Sequence, residues 1–189
     1  MTGNEAYLDK SSAAARMGTA AEYLVAASAI LATGGELNVS TSLVDDEGVD
    51  LVFHRRGSSA TLAVQVKARM STGTQVRQGK VTALVRSQTF RPRPGLDMLF
   101  VAVDVERGAV MTAWLIPSVV FGTMVAEPDS RGNHRFSASL KPDSRDRWTP
   151  FRLTAAELPR RVLARLAELE AGPASGGPST DGRPVGVPS

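Results

Sequence analysis

"GVDLVFHRRGSSATLAVQVKAR", from Gly48 to Arg69, is the stretch whose reading decides the fold. Val49–Arg56 and Ala60–Arg69 read as strands, and "RGSS" between them is a turn signal. Each strand carries a charge inside an apolar run: Asp50 in the first and Lys67 in the second. Side chains alternate faces along a strand, so Gln65 and Lys67 share a face, as do Asp50, Val52 and His54. A two-residue turn at Gly57-Ser58 pairs Arg56 with Ser59 and, continuing outward, Asp50 with Gln65. Directly opposed residues point the same way with Cβ atoms about 4.5–5.5 Å apart, so in this register Asp50, Gln65 and Lys67 converge on one patch. A slip of one residue separates them. Unpaired buried charge is strongly unfavourable, so these residues need partners. An Asp50–Lys67 ion pair is the simplest account.

Working outward, Ser11 to about Thr33 reads as a helix, with Ala20, Tyr23, Leu24, Ala27, Ile30 and Leu31 at helical spacing. Gly18 is a place for a kink or a division, and Gly34-Gly35 a C-terminal stop. Glu36–Ser42 reads as a strand and Asp45-Asp46-Glu47-Gly48 as an acidic turn. Ser71–Lys80 reads as a polar loop and Val81–Phe90 as a further strand. "LDMLFVAVDV" and "AVMTAWLIP" are apolar strands joined at "ERG", "SVVFGTMVA" a short helix and "HRFSASL" an edge strand. Thr154–Ala171 is a helix opened by a capping box, with Glu157 three residues after Thr154. From residue 172 the chain is rich in Gly, Pro and Ser and reads as a disordered tail. The expectation is one domain over residues 1–171 and a tail over 172–189.

With 189 residues, 42% hydrophobic and 22% charged, the composition is that of a soluble globular domain. No apolar run approaches the ~18–20 residues of a membrane helix, and the N-terminus carries no visible secretory signal. A cytoplasmic protein with no membrane partner is the expectation. There is no cysteine, which excludes disulfides, thiolate catalysis and cysteine-ligated metal. With only two histidines, His54 and His134, a multi-histidine metal site is not expected. Charge is unevenly spread: no Asp or Glu falls between Asp50 and Asp97, while Arg55, Arg56, Lys67, Arg69, Arg77, Lys80, Arg86, Arg91 and Arg93 do. A one-sign stretch of this kind suits a polyanion, and nucleic acid is the partner it implies.

Glu22 lies on the first helix among small and apolar residues. It can face solvent, or reach across to the Asp50 patch. Two carboxylates and an amide oxygen can hold a hard divalent cation such as Mg²⁺. A lysine beside them can orient or deprotonate an attacking water while the metal neutralises phosphate charge. That combination suits hydrolysis of a phosphodiester.

In this order the parts resemble the PD-(D/E)XK nuclease superfamily. "GTAAEYLVAASAILATGG" looks like its first helix with the glutamate at Glu22. "DEGVDLVF" looks like its motif aspartate at Asp50, and "LAVQVKAR" like its D/E-x-K strand at Gln65-Val66-Lys67. The resemblance covers Gly18 to Arg69. It implies an α/β restriction-endonuclease-like core, a central mixed sheet flanked by helices, and an Mg²⁺- or Mn²⁺-dependent endonuclease acting on DNA. By the same resemblance Glu22, Asp50 and Gln65 are the metal candidates and Lys67 the residue that handles water; many relatives work as homodimers. Arg55, Arg56, Arg69 and Arg77 are the first candidates for backbone contacts to DNA. One departure matters: the family's acidic residue before x-Lys is glutamine here, a ligand without charge. Asp46 and Glu47 stand nearby in a turn where solvation is the expectation. Two other functions remain open: the same fold binding nucleic acid without cutting it, and a protein-interaction or immunity-type module in which Asp50–Lys67 is structural.

"GTQVRQGK" at Gly73–Lys80 has the wrong spacing for a phosphate-binding loop, with Val81 where Ser or Thr is required. His54, Trp114 and Trp148 read as strand or core residues rather than ligands or base-stacking platforms.

Overall fold

A computed structural model describes residues 5–41 and 48–172. The tail from 173 onward and Asp45, Asp46 and Glu47 of the acidic turn, for which the sequence carries expectations, lie outside the described residues. The chain runs α1 (Glu5–Ala32), β1 (Leu37–Thr41), β2 (Leu51–Arg55), β3 (Thr61–Met70), α2 (Thr74–Arg77), β4 (Lys80–Arg86), β5 (Leu96–Asp104), β6 (Ala109–Pro117), α3 (Ser118–Met124), β7 (Asn133–Ser139), β8 (Arg152–Leu153) and α4 (Glu157–Ala171).

Six strands form one sheet in the order β1-β2-β3-β5-β6-β8. β3 and β5 are parallel and the other pairs antiparallel. This is the expected α/β architecture, a mixed sheet flanked by helices. Strands buried on both faces read as continuous apolar runs. β5 does so, with every residue from Leu96 to Val103 buried.

Alternation sorts the sheet into two cores. On one face Leu51, Phe53, Val64, Val66, Leu99 and Val101 pack with Ala21, Val25 and Ala29 of α1 and with Leu158, Val162 and Leu166 of α4. On the other face Met98, Phe100, Trp114 and Ile116 pack against Val81, Ala83 and Val85 of β4, Phe121 of α3, Phe136 of β7 and Trp148. The Phe100 and Phe136 rings stack there with centroids 3.7 Å apart. Both tryptophans are buried, as core residues should be.

The helices follow the expected chemistry with adjusted limits. α1 begins at Glu5 rather than Ser11 and continues through Gly18 as one element. Nothing lies within 4 Å of where a Cβ on Gly18 would sit, so the residue needs no break to be accommodated. The Thr154–Glu157 box forms: Glu157 Oε2 accepts from the Thr154 backbone N–H at 2.7 Å, and Thr154 Oγ1 accepts from the Glu157 N–H at 3.3 Å. α4 is also held to the sheet by Arg165, whose Nε and a terminal nitrogen donate to the two oxygens of fully buried Asp97 at 2.9 and 3.0 Å.

One expectation changes: the segment read as a loop, Ser71–Lys80, contains the single turn α2. The further strand and the edge strand read from the sequence are β4 and β7, and they pair with each other as a separate two-stranded ribbon, Lys80 opposite Ser139 through to Arg86 opposite Asn133. Alternation gives this ribbon a largely apolar inner face and an outer face that is polar apart from Leu84. The inner face completes the aromatic core, which explains why a two-stranded unit persists apart from the sheet.

Candidate active site

β2 and β3 pair antiparallel with Leu51 opposite Val64 and His54 opposite Thr61. Continued by one step, this register sets Asp50 opposite Gln65, as the sequence implies. The turn is wider than two residues, since β2 ends at Arg55 and β3 begins at Thr61, with the Ser58 N–H bonded to the Arg55 carbonyl. The added residues fall symmetrically, so the pairing survives.

The site forms where β2 leaves β3. Among the described residues, β3 pairs past Gln65 with β5 alone. At that point the Asp50 side chain meets the strand edge: its Oδ2 accepts a hydrogen bond from the Val66 backbone N–H at 2.6 Å. The carboxylate is thereby oriented by the backbone of the strand that carries Gln65 and Lys67.

Asp50, Gln65 and Lys67 line one cavity of about 380 Å³, together with Gly48, Leu84, Arg86 and Thr89. Gln65 is buried; Asp50 and Lys67 are half-buried. Gly48 has φ +66°, and a Cβ there would fall 2.3 Å from Gln65 Nε2. Glycine is favoured here by its left-handed backbone conformation, and any larger residue would also have to displace the end of the Gln65 side chain. Gly48, Leu84, Arg86 and Thr89 were not singled out from the sequence. The glycine beside Asp50 was visible there. The alternation of "KVTALVR" marks Leu84 and Arg86 as sharing a face, but nothing local says which cavity that face borders.

The remaining sequence candidates spread more widely. Glu22 is half-buried on α1, a helix that packs against the opposite face of the sheet, and it does not line this cavity. Arg55 lies at the far end of β2 from Asp50, about 17 Å along the strand at ~3.3 Å per residue, and Arg56 follows it. They border another depression, with His54, and Arg55 Nε donates to Glu36 at 2.9 Å. Arg69 lies two residues beyond Lys67 and clamps β3 to β4. Its Nε donates to the Thr82 carbonyl at 2.6 Å and a terminal nitrogen to the Ala68 carbonyl at 2.7 Å, and burial lowers its pKa. Arg77 is exposed on α2.

No protein-family model matches the chain. No curated protein matches it either. Among solved structures it is similar to the bacterial homing endonuclease I-Ssp6803I, at 21% identity over 78% of this chain and 93% of that one, with a TM-score of 0.46. Among the described residues no helix is long and apolar enough to cross a membrane.

Proposed function

We propose that this chain is a metal-dependent endonuclease that hydrolyses DNA phosphodiester bonds at the Asp50–Gln65–Lys67 cavity. The observation that carries this reading is the convergence of one carboxylate, one amide and one ammonium in a cavity bordered by an arginine. Among the described residues no three His, Cys, Asp or Glu side chains stand together as a metal cage. The Asp50 carboxylate and the Gln65 amide oxygen nevertheless suit Mg²⁺ or Mn²⁺. Mg²⁺ is commonly held by one or two carboxylates, with waters and substrate phosphate completing its octahedron. When bound, the metal would supply charge neutralisation at the phosphate and a more acidic water.

The chain's own residues do the rest. Asp50, fixed by the Val66 N–H, holds a preset orientation and needs little reorganisation. Gln65 adds a neutral oxygen beside it. Lys67 holds the attacking water or a non-bridging phosphate oxygen by hydrogen bonding, and Arg86 neutralises an adjoining phosphate. Glu22 is left as a further metal candidate.

Supercoiled, linear and four-way-junction DNA, incubated with Mg²⁺ or Mn²⁺, test the reading in the full chain. Wild type should cut at least one substrate, and Asp50→Asn and Lys67→Ala should each lose on the order of 100-fold or more, the scale of one catalytic acid–base group. Loss in Glu22→Gln as well would bring that residue into the metal set. The neutral Gln65 favours one rival, a module that binds DNA without cutting it. Salt-sensitive binding with no cutting of any substrate would establish that rival and end the nuclease reading.

A further inference from the structure

The Asp50 cavity does not stand alone. Leu84, on the outer face of β4 and half exposed, borders it and two further cavities of about 530 and 610 Å³. Arg86 borders both the Asp50 cavity and the larger neighbour. The three depressions form one track across the outer face of the β4–β7 ribbon. The charges along it are one-sided: Lys80, Arg86, Arg131 and Arg135 are all exposed. Among the described residues, the one acid bordering the track outside the Asp50 cavity itself is Asp129. Its carboxylate accepts from the backbone N–H groups of Arg131 and Asn133, both at 2.9 Å, and these bonds hold its pKa down.

We infer that this outer face is the docking surface for double-stranded DNA, and that it leads one strand's phosphates past Arg86 into the Asp50 cavity. The inference rests on the nuclease reading for what happens in the cavity, and on its own observations for the track. Charge complementarity selects a polyanion. The absence of outward aromatics selects a duplex over a single strand. Single-strand binders stack bases on aromatic side chains, whereas the ribbon's Phe136 faces inward and its outer pairs carry none. Shape selects DNA over RNA. A two-stranded ribbon fits the major groove of B-DNA, while the A-form major groove is too narrow and deep to read. Of the arginines expected from the sequence, Arg69 borders the track, while Arg55 and Arg56 border a depression elsewhere.

The test is fluorescence anisotropy of the full chain with a labelled 30-bp DNA duplex, its single strand and the same-sequence RNA duplex. It is run without divalent metal, so that binding is read apart from cleavage, and from 50 to 200 mM salt. Wild type should prefer the DNA duplex. Each lost phosphate contact flattens the log K against log salt slope by about 0.9, so Arg86→Ala/Arg135→Ala should flatten it by about 1.8. The wild-type advantage at 50 mM should then shrink about 12-fold by 200 mM, the fourfold salt change raised to that power. Arg86→Lys/Arg135→Lys should restore the slope, which a merely folding-related loss would not allow. Arg160→Ala, exposed on α4 over the other face of the sheet, should bind as wild type.

An unchanged slope in Arg86→Ala/Arg135→Ala, a loss confined to Arg55→Ala/Arg56→Ala, or tighter binding of the single strand or the RNA would overturn the inference. The two readings fail separately. Ribbon-dependent duplex binding without any cleavage keeps the track and ends the nuclease; Asp50-dependent cleavage with wild-type binding by the ribbon variants does the reverse.

Discussion

Asp50 is the residue on which a chemical and a structural account meet, and substitution there separates them by magnitude. Its Oδ2 accepts from the Val66 N–H at 2.6 Å at the point where β3 has lost β2. Val66 is buried, so alanine at residue 50 leaves a buried peptide N–H without that acceptor. A hydrogen bond to a charged group contributes about 1.5–3 kcal/mol. At ~2–4 °C per kcal/mol for a chain of this size, Asp50→Ala should melt about 3–12 °C below wild type. Asparagine keeps an oxygen acceptor of the same shape and loses only the charge, so Asp50→Asn should melt within a few degrees of wild type. Both should be inactive in cleavage if the nuclease reading holds. The assay is thermal unfolding followed by circular dichroism on all three proteins, beside the plasmid assay. Asp50→Ala melting at or above wild type would refute the reasoning, because the carboxylate would then not be holding the β3 edge. A loss of stability in Asp50→Ala therefore says nothing against catalysis, and the asparagine variant is the one to test for activity.

Three further outcomes follow from the same geometry. Arg165→Ala strands the fully buried Asp97 and should cost about 3–5 kcal/mol, whereas Asp97→Leu/Arg165→Met should cost less than either single change; thermal melts of the three variants decide it. Gly48→Ala forces a left-handed conformation and drives a Cβ toward Gln65, so it should destabilise by about 1–3 kcal/mol and depress cleavage. Combination with Gln65→Ala should give less than the sum, and strict additivity would count against the contact. Burial pushes the Asp146 carboxyl up, but hydrogen bonds from the Ser139 and Trp148 N–H groups and the Ser144 hydroxyl outweigh this and leave it below the usual carboxylate range. A depressed folded pKa means that its stabilisation is present above the unfolded value and fades as pH falls through the folded one. The melting difference between wild type and Asp146→Asn should accordingly be widest near neutrality and narrow in acid.

The hairpin was legible because its information is local: two apolar runs, a glycine turn and the strict two-residue period fix which side chains share a face. Asp50, Gln65 and Lys67 meet for that reason, even though the turn is wider than the shortest one allowed. The capping box at Thr154 was legible for the same reason. The ribbon was not. "KVTALVR" and "NHRFSAS" each alternate as strands should, yet alternation does not name a partner, and these two pair across all of β5, β6 and α3. With the ribbon's place unknown, Arg86 and Leu84 could not be assigned to the cavity. Asp97 was hidden by a different mechanism. It opens an apolar strand, and its partner Arg165 lies 68 residues later on a helix whose own pattern reads as ordinarily amphipathic.

The position of the ribbon in the chain has a consequence for assembly. The sheet from β1 to β3 closes through neighbouring pairings, so the wall that carries Asp50, Gln65 and Lys67 can form early and from short-range contacts. The opposite wall, with Leu84 and Arg86, is held in a strand whose mate is the seventh in sequence. Closing that longer loop carries a larger entropic cost than closing the β2–β3 hairpin, one that grows slowly with length. During synthesis β7 emerges long after β2 and β3, so the wall that carries Leu84 and Arg86 cannot gain its paired strand until the chain has reached Ser139.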